Sequence, residues 1–220
     1  RTLRIIDTHD MFSRQVEQVV AQGVEAPLAC SPEVERKALL AADVIIAIQA
    51  NEQKLFSKLV PEREVITVGI AEDEPVKATD RVNEGTVLFI GSSNMPNKNG
   101  IRHFLDNVWP LVLERLPHVK LLIAGRICDL LKEVYQGVEL LGYREDMTEV
   151  YAKVAVVVNV TRVGTGLKVK SVEAICNSKP LVAWPVGLEG LPDDERLPFV
   201  EANSEQTFAE AVVKILKDSD

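Results

Sequence analysis

"VAVVVNVTRVGTGLKVKSVEAICNSKPLVAW", residues 154–184, is the part of the chain whose pattern says most about its architecture. It begins with a continuous run of apolar, β-branched residues and ends with the short apolar run "PLVAW". The residues between these runs favour a helix, which we predict over residues 166–177. A strand, a helix and a second strand in this order form two parallel strands of one sheet with a covering helix.

The same alternation extends in both directions along the chain. Five or six strand–helix units follow one another from Thr86 onward, so we predict an α/β fold with a doubly wound parallel sheet. A kink is expected at Pro110, because proline cannot donate a helical hydrogen bond. Strands are predicted at residues 3–7, 43–48, 64–70, 86–91, 119–125, 138–142, 154–160 and 180–184, and helices at 12–20, 31–42, 51–60, 99–116, 130–135, 145–153, 166–177 and 204–218.

A polar, unpatterned segment at residues 71–85 divides the chain and is predicted to be a linker. We therefore expect one domain at residues 1–78 and a second, complete domain at residues 79–220. The first part contains only three predicted strands, which is about half of a domain of this class. We expect the beginning of that domain to lie outside this chain, which would then be a fragment of a longer protein.

Composition excludes several classes of protein. The chain has 220 residues, a formal net charge of −8 and 46% hydrophobic residues, with no dense basic patch. A nucleic-acid partner is therefore not expected. No apolar run is long enough to be a transmembrane segment. Three widely spaced cysteines without a Cys-x-x-Cys pattern indicate reduced thiols in a cytoplasmic protein rather than a metal site.

The turn after the apolar run at 154–160 has the residues that bind an anion. Gly164 and Gly166 allow close approach of the backbone to a ligand, and the first amides of a helix attract negative charge. Lys168 and Lys170 add positive charges. If residues 166–177 are helical, Gly166, Lys170 and Glu173 share one face. This pattern predicts a nucleoside diphosphate site, with phosphates near the glycines and Lys170 and a ribose at the Glu173 carboxylate.

A purely structural explanation of these residues stays open. Two glycines between a strand and a helix are often needed only for a tight turn, and lysines in a first helical turn are often solvated. Glu173, however, lies in the apolar stretch "SVEAIC", where a carboxylate requires a partner. That requirement favours a binding role.

Four segments together resemble the group 1 glycosyltransferases, the retaining family with the two-domain GT-B fold. They are "VLFIGSSNMPNKNGIRHFLDNVWP", "VKLLIAGR", "VELLGYREDMTEVYAKVAVVVNV" and "GTGLKVKSVEAICNSKPLVAWPVGLEGL". The last segment is similar to the pattern G-[ST]-G-x-[KR]-x-K-x-x-E-A of one subgroup. The resemblance covers almost the whole chain and implies a GT-B-type, Rossmann-like fold, with a complete C-terminal donor domain and part of the N-terminal acceptor domain.

The resemblance implies that Glu173 holds the ribose of the donor. Many family members have a second glutamate eight residues earlier, which contacts the donor sugar. Thr165 stands at that position here, so the sugar contact is unassigned, although the residues at 164–166 are still expected to bind donor. Lys170 and Glu173, with His9, are the residues that we expect to serve catalysis.

Family members also have an arginine and a lysine after the first strand of the donor domain, directed at the diphosphate. The corresponding loop here is "GSSNMPNKNG", which begins at Gly91 and places Asn99 near the lysine position. We expect Gly91 and Asn99 to contact the donor, and Lys168 and Lys170 to supply the missing charge, although Lys168 lies off the helix face of Lys170.

Two further turns are assigned to the donor. Arg126 follows the strand at 119–125 and is expected to approach phosphate, although an arginine at such a place is often only solvated. The turn "GYRED" resembles the segment that contacts the nucleotide base, which Tyr143 or Arg144 would cover. The alternative is a plain turn in which Asp146 caps the next helix.

The histidine near the N-terminus has a family counterpart. His9 follows the first strand, and the resemblance implies that it faces the donor sugar, with Asp10 and Arg14 as neighbours. A histidine in such a turn is often only a structural hydrogen-bonding residue, so that explanation stays open.

We therefore expect a hexosyltransferase that moves sugar from a nucleotide-diphosphate donor to an acceptor with retention. The acceptor class is open between a glycan, a lipid-linked molecule and a protein. No metal or other cofactor is expected, and polysaccharide biosynthesis in the cytoplasm, also at the inner face of the membrane, is the expected context. Alternatives are a non-catalytic nucleotide-sugar-binding or interaction module and a sugar-nucleotide epimerase. Uncovered strands also allow a homo-oligomer.

Overall fold

A computed structural model describes residues 2–21, 30–70, 83–192, 194 and 196–218. The chain divides into two compact units. The first unit contains the described residues up to position 70 together with Val163–Lys168 and Glu189–Pro192, and the second contains the remaining described residues. The predicted domain boundary at residue 78 and most of the predicted linker lie outside the described residues.

The first unit contains a parallel sheet of three strands in the order β1-β2-β3. Its strands are β1 (Ile5–Thr8), β2 (Val44–Ala47) and β3 (Glu64–Thr67), and its helices are α1 (Phe12–Ala21), α2 (Pro32–Leu39) and α3 (Ala50–Leu59). Ile45 and Phe56 are fully buried in its core. The Ser31 hydroxyl accepts a hydrogen bond from the Val34 amide at 3.3 Å, so the predicted cap of α2 is confirmed.

The second unit contains a parallel sheet of six strands in the order β6-β5-β4-β7-β8-β9. Its strands are β4 (Asn83–Ile90), β5 (Lys120–Ala124), β6 (Val138–Gly142), β7 (Val154–Asn159), β8 (Leu181–Ala183) and β9 (Phe199–Glu201). Its helices are α4 (Met95–Asn107), α5 (Trp109–Arg115), α6 (Thr148–Lys153), α7 (Val169–Cys176), α8 (Pro185–Leu188) and α9 (Glu205–Lys217). The strand order reverses between β4 and β7, and ligands of open parallel sheets bind at such a point.

Aromatic residues fill the core of the second unit. Phe104 of α4, Trp109 of α5 and Phe208 of α9 are almost fully buried, and the Trp184 and Phe208 rings lie 5.0 Å apart. The indole nitrogen of Trp109 donates a hydrogen bond to the Gln136 carbonyl at 2.8 Å. The alternating strands and helices and the parallel strand order give the doubly wound α/β architecture that the sequence predicts.

The helix predicted over residues 99–116 is wrong in two respects. It begins one turn earlier, at Met95, because the Asn94 side chain accepts a hydrogen bond from the Asn97 amide at 2.9 Å and caps α4. It also breaks at Val108 rather than bending, so that Pro110 occupies the first turn of the separate helix α5. Proline fits there because the first amides of a helix have no helical partner.

Two other helix predictions are corrected. The helix predicted over residues 130–135 is not formed, and a short 3-10 helix, Arg126–Leu130, stands before that segment instead. The helix predicted over 166–177 begins only at Val169, because Gly164 and Gly166 have φ values of +124° and +77°. Such left-handed backbone angles are incompatible with a right-handed helix.

Candidate functional site

The ammonium group of Lys170 lies at the centre of a polar cluster in the second unit, at the carboxyl ends of β4 and β7. It donates hydrogen bonds to the side-chain oxygen of Asn97 and, at 3.2 Å, to the hydroxyl of Thr161. The same nitrogen lies 5.0 Å from the centre of the Phe89 ring. The sequence predicted Lys170 as a site residue, and the structure fixes its charge beside the reversal in strand order.

Asn97 is the asparagine that contacts this lysine, and the donor contact expected of Asn99 stays a prediction. Asn97 is 5% exposed, and its amide nitrogen donates hydrogen bonds to the Ser92 carbonyl and hydroxyl at 3.2 and 3.1 Å. Asn99 is exposed on the first turns of α4. Sequence comparison by position alone missed Asn97, but its place three residues after the cap of α4 directs its side chain inward.

Buried polar residues of β7 and α7 hold this cluster in place through hydrogen bonds. The Asn159 side chain accepts a hydrogen bond from the Thr161 amide at 3.1 Å and donates one to the Ser171 hydroxyl at 2.8 Å. The Ser171 hydroxyl donates in turn to the Gly187 carbonyl at 2.7 Å. These bonds join the end of β7, the start of α7 and α8, and so hold Thr161 and Lys170 in place.

Glu173 lies one turn after Lys170 on α7 and is half-buried. Its carboxylate accepts a hydrogen bond at 3.2 Å from the hydroxyl of Tyr151, a residue that is 3% exposed. The expectation that this carboxylate needs a partner is met by Tyr151, which the sequence did not single out. Because α7 begins after Gly166, only Lys170 and Glu173 share a helix face, and the predicted three-residue face is wrong.

Arg126 and Tyr143 come together at the carboxyl ends of β5 and β6. The guanidinium carbon of Arg126 lies 5.5 Å from the centre of the Tyr143 ring, which is a cation–π arrangement. Tyr143 is 66% exposed, so the pair lies at the surface.

Arg144 points elsewhere, into a groove of about 520 Å³ beneath α6. The groove is lined mainly by charged side chains of the sheet and of α6, among them Lys120, Glu139, Asp146, Glu149 and Lys153. Asp146 accepts a hydrogen bond from the Thr148 amide at 2.8 Å, as the alternative explanation of this turn predicted.

Gly91 is engaged in backbone contacts. Its amide donates to the Ala124 carbonyl at 3.0 Å, and its carbonyl accepts from the Ile127 amide at 3.1 Å. A Cβ atom on Gly125 would lie 2.3 Å from the Gly91 oxygen, so these two loops approach more closely than a side chain permits. The structure thus gives Gly91 a packing function, and its donor contact stays a prediction.

The glycine-containing segment Val163–Lys168 belongs to the first unit, where it contacts the turn after β1. The Thr165 hydroxyl donates a hydrogen bond to the Asp10 carboxylate at 3.0 Å. A Cβ atom on Gly166 would lie 2.6 Å from both an Asp10 carboxylate oxygen and the His9 carbonyl. His9 itself is exposed after β1, at the predicted carboxyl end of the strand.

Lys168 folds back onto its own segment. Its ammonium group donates to the Thr165 and Gly166 carbonyls at 2.6 and 2.9 Å. Burial lowers the pKa of Lys168, and the nearby carboxylates of Glu189 and Asp10 oppose that shift. These contacts favour a role in shaping the segment, and the predicted donor contact of Lys168 stays a prediction.

The larger part of the chain, including all of this polar cluster, matches a known protein family. Residues 84–218, more than half of the chain, match the model of a family described as "Glycosyl transferases group 1". The chain belongs to the group 1 glycosyltransferase family.

One curated relative of this glycosyltransferase-family chain is an uncharacterized 44.6 kDa protein in the cps region of Klebsiella pneumoniae. It is 31% identical over 144 residues, which is 60% of this chain and 37% of that protein. The chain therefore spans little more than a third of the length of the curated relative that it matches.

Solved structures show the fold of this group 1 glycosyltransferase chain. A point mutant of TarM from S. aureus superposes with a TM-score of 0.76 at 14% identity, over 98% of this chain and 44% of TarM. HepE from Anabaena superposes with a TM-score of 0.68 at 14% identity, over 98% of this chain and 62% of HepE. The predicted GT-B-type, Rossmann-like fold is confirmed.

In the described part of this family member, no group of three or more histidine, cysteine, aspartate or glutamate residues is arranged to hold a metal ion. Its helices there are too short or too polar to cross a bilayer. Cys30, Cys128 and Cys176, all within the described part, form no disulfide.

Proposed function

We propose that the protein is a retaining hexosyltransferase that uses a nucleotide-diphosphate sugar. Family membership supports the transfer of a sugar, and one observation carries the assignment of the site. Lys170 is held by Asn97 and Thr161 at the carboxyl edge of the sheet, beside the point where the strand order reverses. A parallel sheet binds its ligand at that edge, and a fixed ammonium group selects an anion.

Lys170 is proposed to bind the donor diphosphate and to stabilise it as it leaves. When the bond between the sugar and the diphosphate breaks, negative charge grows on the phosphate oxygens. A cation whose position is already fixed stabilises that charge without reorganisation. The amides of residues 164–166, which precede α7 in the chain, are proposed to assist.

Glu173 is proposed to hold the ribose. The Tyr151 hydroxyl orients one of its oxygens at 3.2 Å. A carboxylate oriented in this way accepts hydrogen bonds from ribose hydroxyls. Its position one turn after Lys170 places both side chains on one face of α7.

Arg126 and Tyr143 are proposed to meet the nucleoside end of the donor. An exposed aromatic ring provides a stacking surface for a base, and Arg126 over that ring adds a charge. A contact of Arg144 with the base is also proposed and would require its side chain to leave the groove beneath α6.

Sugar recognition is proposed for His9 and Thr165. Their support is the family membership of the chain and, for His9, its exposed position after β1. We also propose that Asn99, Gly91 and Lys168 lie near the donor. The contacts of Gly91 and Lys168 described above also have a purely structural explanation.

We further propose that cationic side chains, and no metal ion or other cofactor, neutralise the diphosphate. Polysaccharide biosynthesis is the proposed context, since a relative is described as lying in the cps region of Klebsiella pneumoniae. We also propose that the protein is cytoplasmic, either free or at the inner face of the membrane, and that it self-associates. The acceptor class, glycan, lipid-linked molecule or protein, stays open.

The deciding experiment is calorimetric titration of the chain with UDP, GDP and ADP. TarM and HepE were each crystallised with UDP, which makes UDP the first choice. We expect one nucleotide to bind, and Glu173→Gln to weaken its affinity about tenfold or more through loss of a charge-assisted bond. Glu114→Gln, an exposed change on α5, is the matched control.

Transfer is measured separately, with the radiolabelled sugar nucleotide of the base that binds. Incorporation into acceptor that persists in EDTA supports the proposed reaction and its independence of metal. Nucleotide binding without transfer or hydrolysis of the donor, even with the full-length protein, would favour the non-catalytic alternative. Equal binding by the protein and Glu173→Gln would remove the proposed ribose site.

A further inference from the structure

A carboxyl group is buried at the start of α3 without a hydrogen bond. Glu52 is 1% exposed, and neither of its carboxyl oxygens has a hydrogen-bond partner among the described residues. An ionised carboxylate is strongly disfavoured in such a place, whereas the neutral acid is tolerated much better. The position therefore favours a proton on Glu52.

The charges around Glu52 favour the same state. Asp10 and Glu189 bring two carboxylates, and Lys168 and Arg14 bring two cations. Arg14 pairs with Glu189 at 3.0 Å. An ionised Glu52 would add a third negative charge to those of Asp10 and Glu189. Asp10 after β1, Lys168 before α7 and Glu189 after α8 act on Glu52 directly. His9 acts on Asp10, and Arg14 of α1 acts on Lys168.

Glu52 and Asp10 differ in how they are held. Asp10 accepts the hydrogen bond of Thr165 at 3.0 Å, which favours its ionised form. Glu52 has no such bond. Burial and then the charge of Asp10 raise the pKa of Glu52 to about 7. The Met11 amide lies nearby and partly opposes this rise, although it is too poorly placed for a normal hydrogen bond. Of the two carboxyl groups, Glu52 is the one that takes the proton.

We propose that Glu52 is a positioning residue which, as a neutral acid, lets Asp10 and Lys168 hold the segment Val163–Lys168 in the shape described above. Ionisation of Glu52 would repel the Asp10 carboxylate and attract the Lys168 ammonium away from the Thr165 and Gly166 carbonyls. The segment would then lose the contacts that fix it. This inference rests on the proposed function, because the segment contains residues to which we assign donor binding.

The effect of Glu52 on the shape of the segment Val163–Lys168 is tested without any donor. In protein with carbon-13-labelled glutamate, the carboxyl resonance of Glu52 is assigned by its absence in Glu52→Gln and followed by NMR as the pH changes. We expect its midpoint near 7, and the amide resonances of Thr165 and Gly166 to shift with the same midpoint. A Glu52 midpoint near 4.5, the ordinary value, or amides that do not follow Glu52, would overturn the proposal.

The functional half compares pH profiles of nucleotide affinity. We expect affinity to fall as the pH rises from about 6 to about 8 in the unmodified protein, because Glu52 ionises in that interval. In Glu52→Gln, which fixes a neutral side chain of the same shape, this component should vanish. The nucleotide phosphates titrate equally in both proteins, so the difference between the two profiles belongs to Glu52.

Glu64→Gln is the matched control, because it removes an exposed glutamate of β3 in the same unit. It should keep the profile of the unmodified protein. Identical profiles in the unmodified protein and Glu52→Gln would reject the positioning role. If no nucleotide binds at any pH, the proposed function fails, while the NMR titration still decides whether Glu52 controls the segment.

Discussion

Lys170 of α7 donates a hydrogen bond to the side-chain oxygen of Asn97 in α4, a residue 73 positions earlier in the chain. Its other contacts described above are the Thr161 hydroxyl and the Phe89 ring. All three of these partners are uncharged, and they orient the ammonium group. Such a cation attracts an anion to the carboxyl edge of the sheet.

Removal of this cation should abolish most nucleotide binding. Lys170→Met keeps the length and apolar packing of the side chain. We expect the dissociation constant for the preferred nucleotide to rise about ten- to a hundredfold, the value of a hydrogen bond to a charged group. Calorimetry gives the constant, and Lys217→Met, an exposed change in α9, should leave it unchanged. An unchanged constant in Lys170→Met would mean that the phosphates lie elsewhere.

Addition of a negative charge beside Lys170 should act in the same direction. Asn97→Asp retains an oxygen that accepts from Lys170, but its charge cancels part of the attraction for phosphate. We expect weaker binding by Asn97→Asp and little change in Asn99→Asp, which introduces the same charge two residues away at an exposed position. The reverse order of effects would restore Asn99, the residue that the sequence predicted.

Gly166 is under two separate constraints. Its φ of +77° is unfavourable for alanine by about 1–2 kcal/mol, and a Cβ atom there would lie 2.6 Å from the Asp10 carboxylate and the His9 carbonyl. Gly142 has a similar φ of +70° but no atom within 4 Å of its Cβ position. Gly166→Ala should therefore lower the free energy of unfolding more than Gly142→Ala, as measured by urea denaturation. Equal losses would show that the contact with Asp10 is unimportant.

Fold stability should fall as the pH rises through the interval set by Glu52. Its pKa is 4.5 in the unfolded chain and about 7 in the folded protein, so the folded protein binds more protons between these values. The contribution of Glu52 to stability is full below pH 4.5 and is lost by about pH 7, a change of at most ~3 kcal/mol. Asp10, whose pKa burial also raises, contributes with the same sign at lower pH.

Urea denaturation at several pH values measures this dependence. Glu52→Gln should be less sensitive to pH over the interval, whereas Glu64→Gln should resemble the unmodified protein. A stability that rises between pH 5 and 7 in the unmodified protein, and equally in both variants, would contradict the assignment of the proton to Glu52.

Much of the fold was predictable because parallel strands are buried on both faces. Val154–Asn159 is completely buried, and every residue of it before Asn159 is apolar. β9 was missed because two of its three residues are exposed and one of them is Glu201, whereas the equally short β8 is apolar and completely buried. The start of α7 was misplaced because its position depends on the backbone angles of Gly164 and Gly166, which the residue type permits but does not require.

The candidate site was predictable in its charges and not in its partners. Lys170 and Glu173 are conspicuous because they are charged residues in or beside apolar runs. Asn97 and Tyr151 are ordinary helix residues in the sequence, and only folding brings them to Lys170 and Glu173. Glu52 was missed for the same reason, since its burial depends on segments far apart in the chain.

Both tryptophans of the chain, Trp109 and Trp184, belong to the second unit. Indole fluorescence therefore reports the unfolding of the six-stranded sheet and does not report the unfolding of the three-stranded one. Gly166→Ala and Glu52→Gln act in the first unit, so their effects should be visible in circular dichroism and weak in the emission spectrum. The separation between the two transition curves would measure whether the two units unfold together or one after the other.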